Sequence, residues 1–153
     1  PAPAPAPVPE APAMARVEGA AQRRLAVRLL SSALICGLGG MAAVRIGANI
    51  LAIWVYNEPE LAGMFILSAP LTLLFAVQHA VNALLSGLGE QRQALMPALA
   101  GSLLTLALLH RWTALPGARI AGAIRAMQLG QSATLLSTLG LLALALRQSK
   151  TPD

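Results

Sequence analysis

The chain has 153 residues, of which 56% are hydrophobic and only 11% charged, with a formal net charge of +5. Ordinary soluble domains carry roughly 25% charged residues, and a water-borne fold of this length has too little interior to hide so much apolar surface. The composition therefore excludes a soluble globule. The excess positive charge, gathered in flanks with no basic stripe interleaved with aromatics, argues for topology and anionic-lipid contact, not for nucleic-acid binding.

In chain order, residues 1–22 read as a Pro/Ala-rich disordered tail followed by a basic cytoplasmic flank. Pro1 to Pro9 alternate proline with alanine or valine, which favours an extended polyproline conformation. No charged n-region leads into a short apolar h-region, so the start does not read as a secretory signal. It reads as a tail, or as the edge of something longer, with Met14 a candidate translation start. Residues 23–147 then form a transmembrane domain of four segments, 25–56, 61–88, 93–113 and 117–147, each able to supply the roughly 20 residues that a hydrocarbon core needs. Residues 148–153 are a cytoplasmic tail. The long Leu- and Ala-rich runs lack the short alternating pattern of lipid-facing barrel strands, so the expected fold is an all-α polytopic membrane protein, four transmembrane helices in an antiparallel bundle.

Positive flanks give the orientation. Arg16, Arg23, Arg24 and Arg28 precede the first span, Arg92 follows the second, and Arg147 and Lys150 follow the fourth, whereas the turn Asn57-Glu58-Pro59-Glu60 has no cation. Both termini are thereby predicted to be cytoplasmic, with Arg111 and Arg119 the exceptions on the outer side. The single cysteine, Cys36, has no intrachain partner and reads as a buried small residue.

Helices associate in lipid by close backbone approach, which small residues at four-residue spacing allow. The fourth span has the longest such series: Ala118, Gly122, Ala126, Gly130, Thr134 and Thr138. The first offers Gly39, Ala43 and Gly47, the third Gly101 and Thr105. Pro70 sits deep in the second span, where it removes a backbone donor and can kink the axis, either as a hinge or as a proline the helix merely tolerates. Pro97 is close enough to a helix start near Gln93 to count as a first-turn proline.

Among polar residues in the spans, Arg45 is the most expensive, because a charge near a helix centre costs about 2.5 kcal/mol or more. Asn49 is one turn away, and Gln78, His79 and Asn82 of the second span are expected at comparable depth if a hairpin forms through the 57–60 turn. No Asp or Glu occurs within a span. Arg45 is thus left with neutral polar groups, an aqueous cavity, an anionic ligand or a partner's carboxylate. Ser68, Thr72, His79, Asn82 and Ser86 share one face of the second span, either lining a water-filled cavity or forming a hydrogen-bond ladder between helices. Arg125, Gln128 and Gln131 form a smaller polar group on the fourth. His79 and His110 are too far apart in depth to share one metal. No set of ligands completes a metal site, no cofactor is implied, and no serine has the neighbours of a nucleophile, so enzymatic catalysis is not expected.

Four stretches in order carry a family resemblance. Val8-Pro9-Glu10-Ala11 through Arg23-Arg24-Leu25 is similar to a cytoplasmic proline-acidic segment and basic loop. Ile50 to Glu60 is similar to a helix end running into an acidic-proline turn. Asn82 to Arg92 is similar to a Leu-Gly-Leu-Gly-polar turn, and Leu115 to Ala123 to a proline-glycine lead-in to the next helix. Together they resemble the second half of polysaccharide and lipid-linked oligosaccharide exporters, most closely the stage V sporulation protein B group. That superfamily includes lipid II flippases and multidrug and toxin extrusion transporters. The resemblance implies the last four spans of a six-helix lobe in a bacterial cytoplasmic (inner) membrane. It further implies alternating-access transport of an undecaprenyl-linked oligosaccharide or peptidoglycan precursor, with further helices of the same transporter as partners. Arg45 stands where the family usually has an apolar residue, so no substrate role transfers to it. The rival expectation is a small structural subunit of a larger membrane complex.

Overall fold

The structure, a computed structural model, describes residues 19–114 and 119–148. All regular structure among them is helical: α1 (Gly19–Ile50), continued by a π-helical turn (Leu51–Val55), then α2 (Leu61–Gly87), α3 (Gln91–Thr113) and α4 (Arg119–Gln148). Four helices are long and apolar enough to cross a membrane, so the all-α, four-span reading holds. The Pro/Ala stretch, residues 115–118 with Pro116-Gly117, and the last five residues lie outside the described residues. α1 begins at Gly19, inside the segment read as tail, and it already buries Gln22 and Ala26 in its first turns.

The connections explain the chain reversals. α1 widens at its end, where Glu58 N–H donates to the Ala52 carbonyl at 2.9 Å. Asn57 then takes a φ of 54°, a left-handed conformation that asparagine tolerates better than most residues. The Tyr56 ring lies 5.9 Å from Phe65 and ties the turn to α2. At the other end of α2, Gly89 has a φ of 83°. Its N–H reaches the Ser86 carbonyl at 3.1 Å and that of Glu90 reaches Leu85 at 3.0 Å, which is a Schellman cap. A side chain with a Cβ at Gly89 would strain this turn.

The helices pack as two antiparallel pairs, α1 on α2 and α3 on α4, joined chiefly by α2 against α4. Their spatial order is α1, α2, α4, α3, and α2 and α3 touch little despite the short turn between them. All four meet at one end, where Ala26, Val81, Leu84, Leu85 and Leu142 are buried and Leu30, Ala94 and Leu146 pack around them.

Small residues decide both pairings. In α1 the close approach uses Gly37, where a Cβ would lie 3.1 Å from that of Ala76, and Gly40, which faces Thr72. Gly39 and Gly47, the glycines expected to pack, meet nothing within 4 Å. Helical rotation turns them off the α2-facing side. Between α3 and α4 the contact is reciprocal: Thr134 lies over Gly101 and Thr105 over Gly130, and each threonine donates to the carbonyl of the glycine on its own helix, at 2.9 and 2.8 Å. Farther along, Gly122 lies against Trp112, and Ala126 is fully buried.

Much of the remaining surface is apolar. Ile35 and Ile46 of α1, Met96 and Leu103 of α3 and Leu136 of α4 all point outward, and Trp54 is 85% exposed. In water such a surface would aggregate; in a bilayer it is the lipid-facing coat, with backbone polar groups satisfied inside each helix.

Candidate functional site

The contacts fix the relative depth of every polar group. Gly40 faces Thr72, so Arg45, five residues on, comes level with Leu67, five residues back on the antiparallel helix. Gln78 is eleven residues beyond Leu67, about 16 Å along the axis. The structure therefore does not bring Arg45 and Asn49 together with Gln78, His79 and Asn82, and the comparable depth expected for them is corrected. The reason is the sharp turn at 57–60, which pairs residues equidistant from it.

Gln78 is buried against α4. Its amide nitrogen lies 3.3 Å from the Thr138 hydroxyl and 3.1 Å from the Asn82 side-chain oxygen. Thr138 in turn donates to the Thr134 carbonyl at 2.9 Å. This chain of partners is an interhelical clasp, with each polar atom answered by a neighbour. Asn82 is otherwise exposed, and His79 is exposed on a lateral side of α2. Ser68 and Thr72 turn their hydroxyls to the Phe65 and Ala69 carbonyls of their own helix at 2.9 and 2.7 Å. Along the polar stripe of α2, His79 and Asn82 are thus exposed, while Ser68, Thr72 and Ser86 are half-buried, with Thr72 against Gly40 of α1.

Arg45 and Asn49 are exposed on the side of α1. Level with Arg45 is Gln128, whose amide donates to the Leu67 carbonyl. Arg125 lies one turn farther along α4, and Arg111 of α3, placed by the Trp112–Gly122 contact, comes level with Ala123. Three arginines from three helices therefore fall within about 8 Å of depth, at five residues of 1.5 Å rise. At the opposite end lie Arg28, Arg92 and Arg147. Between the two groups the described residues carry no formal charge over about 21 Å, fourteen residues of α4. Arg45 is about 10 Å from the centre of this band, not at it, and its long side chain can reach the interface. Cys36, expected to be buried, is exposed on α1. Pro97 is the seventh residue of α3, in its second turn and not its first.

The surface has several concavities of similar volume, about 500 to 530 Å³. Between α2 and α4 a groove of about 500 Å³ is lined by Pro70, Leu73, Leu74, Arg125, Gln128, Leu129 and Ser132. Arg125, Gln128 and Ser132 recur at three- and four-residue spacing and so face it together. Pro70 and His79, nine residues apart at about 100° each, stand on opposite sides of α2, so the groove and the polar stripe are separate surfaces. Pro70 removes the donor for the Ile66 carbonyl, and Gln128 supplies a donor to the adjacent Leu67 carbonyl in the turn that the proline disturbs. Sequence reading grouped Arg125 with Gln128 but gave no sign that Pro70 stands opposite them, because that depends on the α2–α4 register. No protein-family model, curated protein or solved structure matches the chain.

Proposed function

We propose that the chain is a membrane-embedded part of a flippase-like transporter, a partial lobe that helps move an undecaprenyl-linked oligosaccharide or peptidoglycan precursor by alternating access. The observation that carries this reading is the laterally open α2–α4 groove with a proline in its wall. A lobe that rocks needs a joint between helices that pack incompletely, and an amphiphile moving between leaflets needs a side opening with a polar end. The ordered turn motifs from Asn82 to Arg92 and from Leu115 to Ala123 support the same family. In this proposal the end bearing Arg23, Arg24, Arg28, Arg92 and Arg147 faces the cytoplasm of a bacterial inner membrane, because it holds more cations than the end bearing Glu58 and Glu60.

The test is translocation of a fluorescent polyprenyl-phosphate sugar in proteoliposomes holding the protein with the helices that assemble with it. Wild type is expected to expose the probe to an external quencher, and Pro70→Ala to slow that exposure. Probe movement no faster than in empty liposomes would sink the reading.

A structural subunit of a larger complex is the second reading. It is favoured by the exposed side of α1, where Gly39, Arg45, Gly47 and Asn49 are open to a neighbour. Co-purification of one constant membrane partner, lost on Gly47→Leu, would support it over transport.

A further inference from the structure

We propose that the α2–α4 groove is a binding site for an anionic phospholipid of the leaflet at the Arg125 end. Its phosphate would sit on Arg125, and one acyl chain would lie along Pro70, Leu73, Leu74 and Leu129. This rests on the membrane-spanning fold alone and not on the transport reading.

The polarity of the groove is graded along the membrane normal. Arg125 is at the outer end, Gln128 and Leu129 one turn deeper, and Ser132, Leu73 and Leu74 deeper still. That gradient is the profile of a lipid standing in one leaflet, charged at the interface and apolar below. Charge supports the same occupant. Arg125 is exposed and makes no hydrogen bond or ion pair with any described residue. Its nearest described neighbours in sequence and across the groove are neutral. A guanidinium at an apolar interface keeps its charge and favours phosphate, which its planar fork binds through two parallel hydrogen bonds. One N–H of the Gln128 amide is engaged with the Leu67 carbonyl, which leaves its second N–H, Arg125 and Ser132 as the donors available to a ligand. The opening is sideways, toward the acyl chains that cover the exposed Leu129, so the site is reached from within the bilayer.

The experiment is native mass spectrometry of the full chain released from nanodiscs of mixed phosphatidylglycerol and phosphatidylcholine, alongside thermal unfolding in detergent with each lipid or with inorganic phosphate added. Wild type is expected to retain phosphatidylglycerol preferentially and to gain thermal stability from it, but not from inorganic phosphate. Arg125→Gln, an exposed change that leaves packing alone, is expected to carry one phosphatidylglycerol fewer and to need about tenfold more for the same stabilisation, the size of one lost charge-assisted hydrogen bond. Leu74→Trp, which fills the groove with Arg125 intact, is expected to lose the same lipid, while Arg92→Gln at the opposite end keeps it. Equal retention by Arg125→Gln and wild type would overturn the proposal. So would stabilisation by inorganic phosphate that depends on Arg125, because the site would then belong to a soluble anion.

Discussion

At Gly130 a single added carbon would press on the Thr105 side chain and come within 3.0 Å of the Gly101 carbonyl, so the α3–α4 contact has no slack. Gly130→Ile is expected to lower stability by about 1–3 kcal/mol, the usual penalty for overpacking, measured by thermal unfolding in detergent. Gly39→Ala is the matched control. Open space surrounds that position, so the same assay should show no loss and a gain of up to about 1 kcal/mol from reduced backbone freedom. The Gln78 clasp belongs to the same scale. Thr138 keeps its bond to the Thr134 carbonyl when Gln78 becomes leucine, so Gln78→Leu should cost about 0.6 kcal/mol, and a loss above about 1.7 kcal/mol would show that the amide does more than join two helices.

Between elements, register is the testable quantity. In a Cys36→Ala background, the pair Gly37→Cys with Ala76→Cys is expected to oxidise to an intrachain disulfide, since their Cβ positions lie 3.1 Å apart and need only a small adjustment. The pair Gly39→Cys with Ala76→Cys should stay reduced because Gly39 points away from α2. Gel mobility with and without reductant reads the outcome, and the reverse pattern would overturn the packing of α1. The α3–α4 pair is held differently, by two glycine–threonine contacts of opposite sense, which resist both sliding and rotation. The α2–α4 joint has one clasp at Gln78 and one side-chain bond at Leu67, and a groove beside the latter.

Over the whole molecule, the two arginine groups set a charge-free layer of about 21 Å, thinner than a typical hydrocarbon core of about 30 Å. Arginines reaching outward at both ends close part of that difference. Thermal stability in nanodiscs is accordingly expected to fall as acyl chains lengthen beyond the common 16–18 carbons, because longer chains strand the arginines in hydrocarbon. A rise with chain length would refute the depth assignment. Arg45→Cys, Arg111→Cys and Arg125→Cys, each in the Cys36→Ala background, are expected to react with an impermeant thiol reagent from the same membrane side.

Composition and run length alone determined that four apolar helices build this protein, because a helix is the local solution for any long chain segment whose backbone must be satisfied without water. The turn at Gly87-Leu88-Gly89 and the small-residue series from Gly122 to Thr138 were legible for the same reason: caps and close approaches demand particular residues at short spacing. Rotation and depth were not legible. Gly37 and Gly40 differ from Gly39 only by a fraction of a turn, and nothing local says which of them faces α2. Arg45 looked central because α1 is long, yet its level is set by Leu67 of another helix. The Pro70–Arg125 groove joins residues fifty-five positions apart, and only the register of α2 on α4, decided by packing summed over both lengths, puts the charge beside the proline.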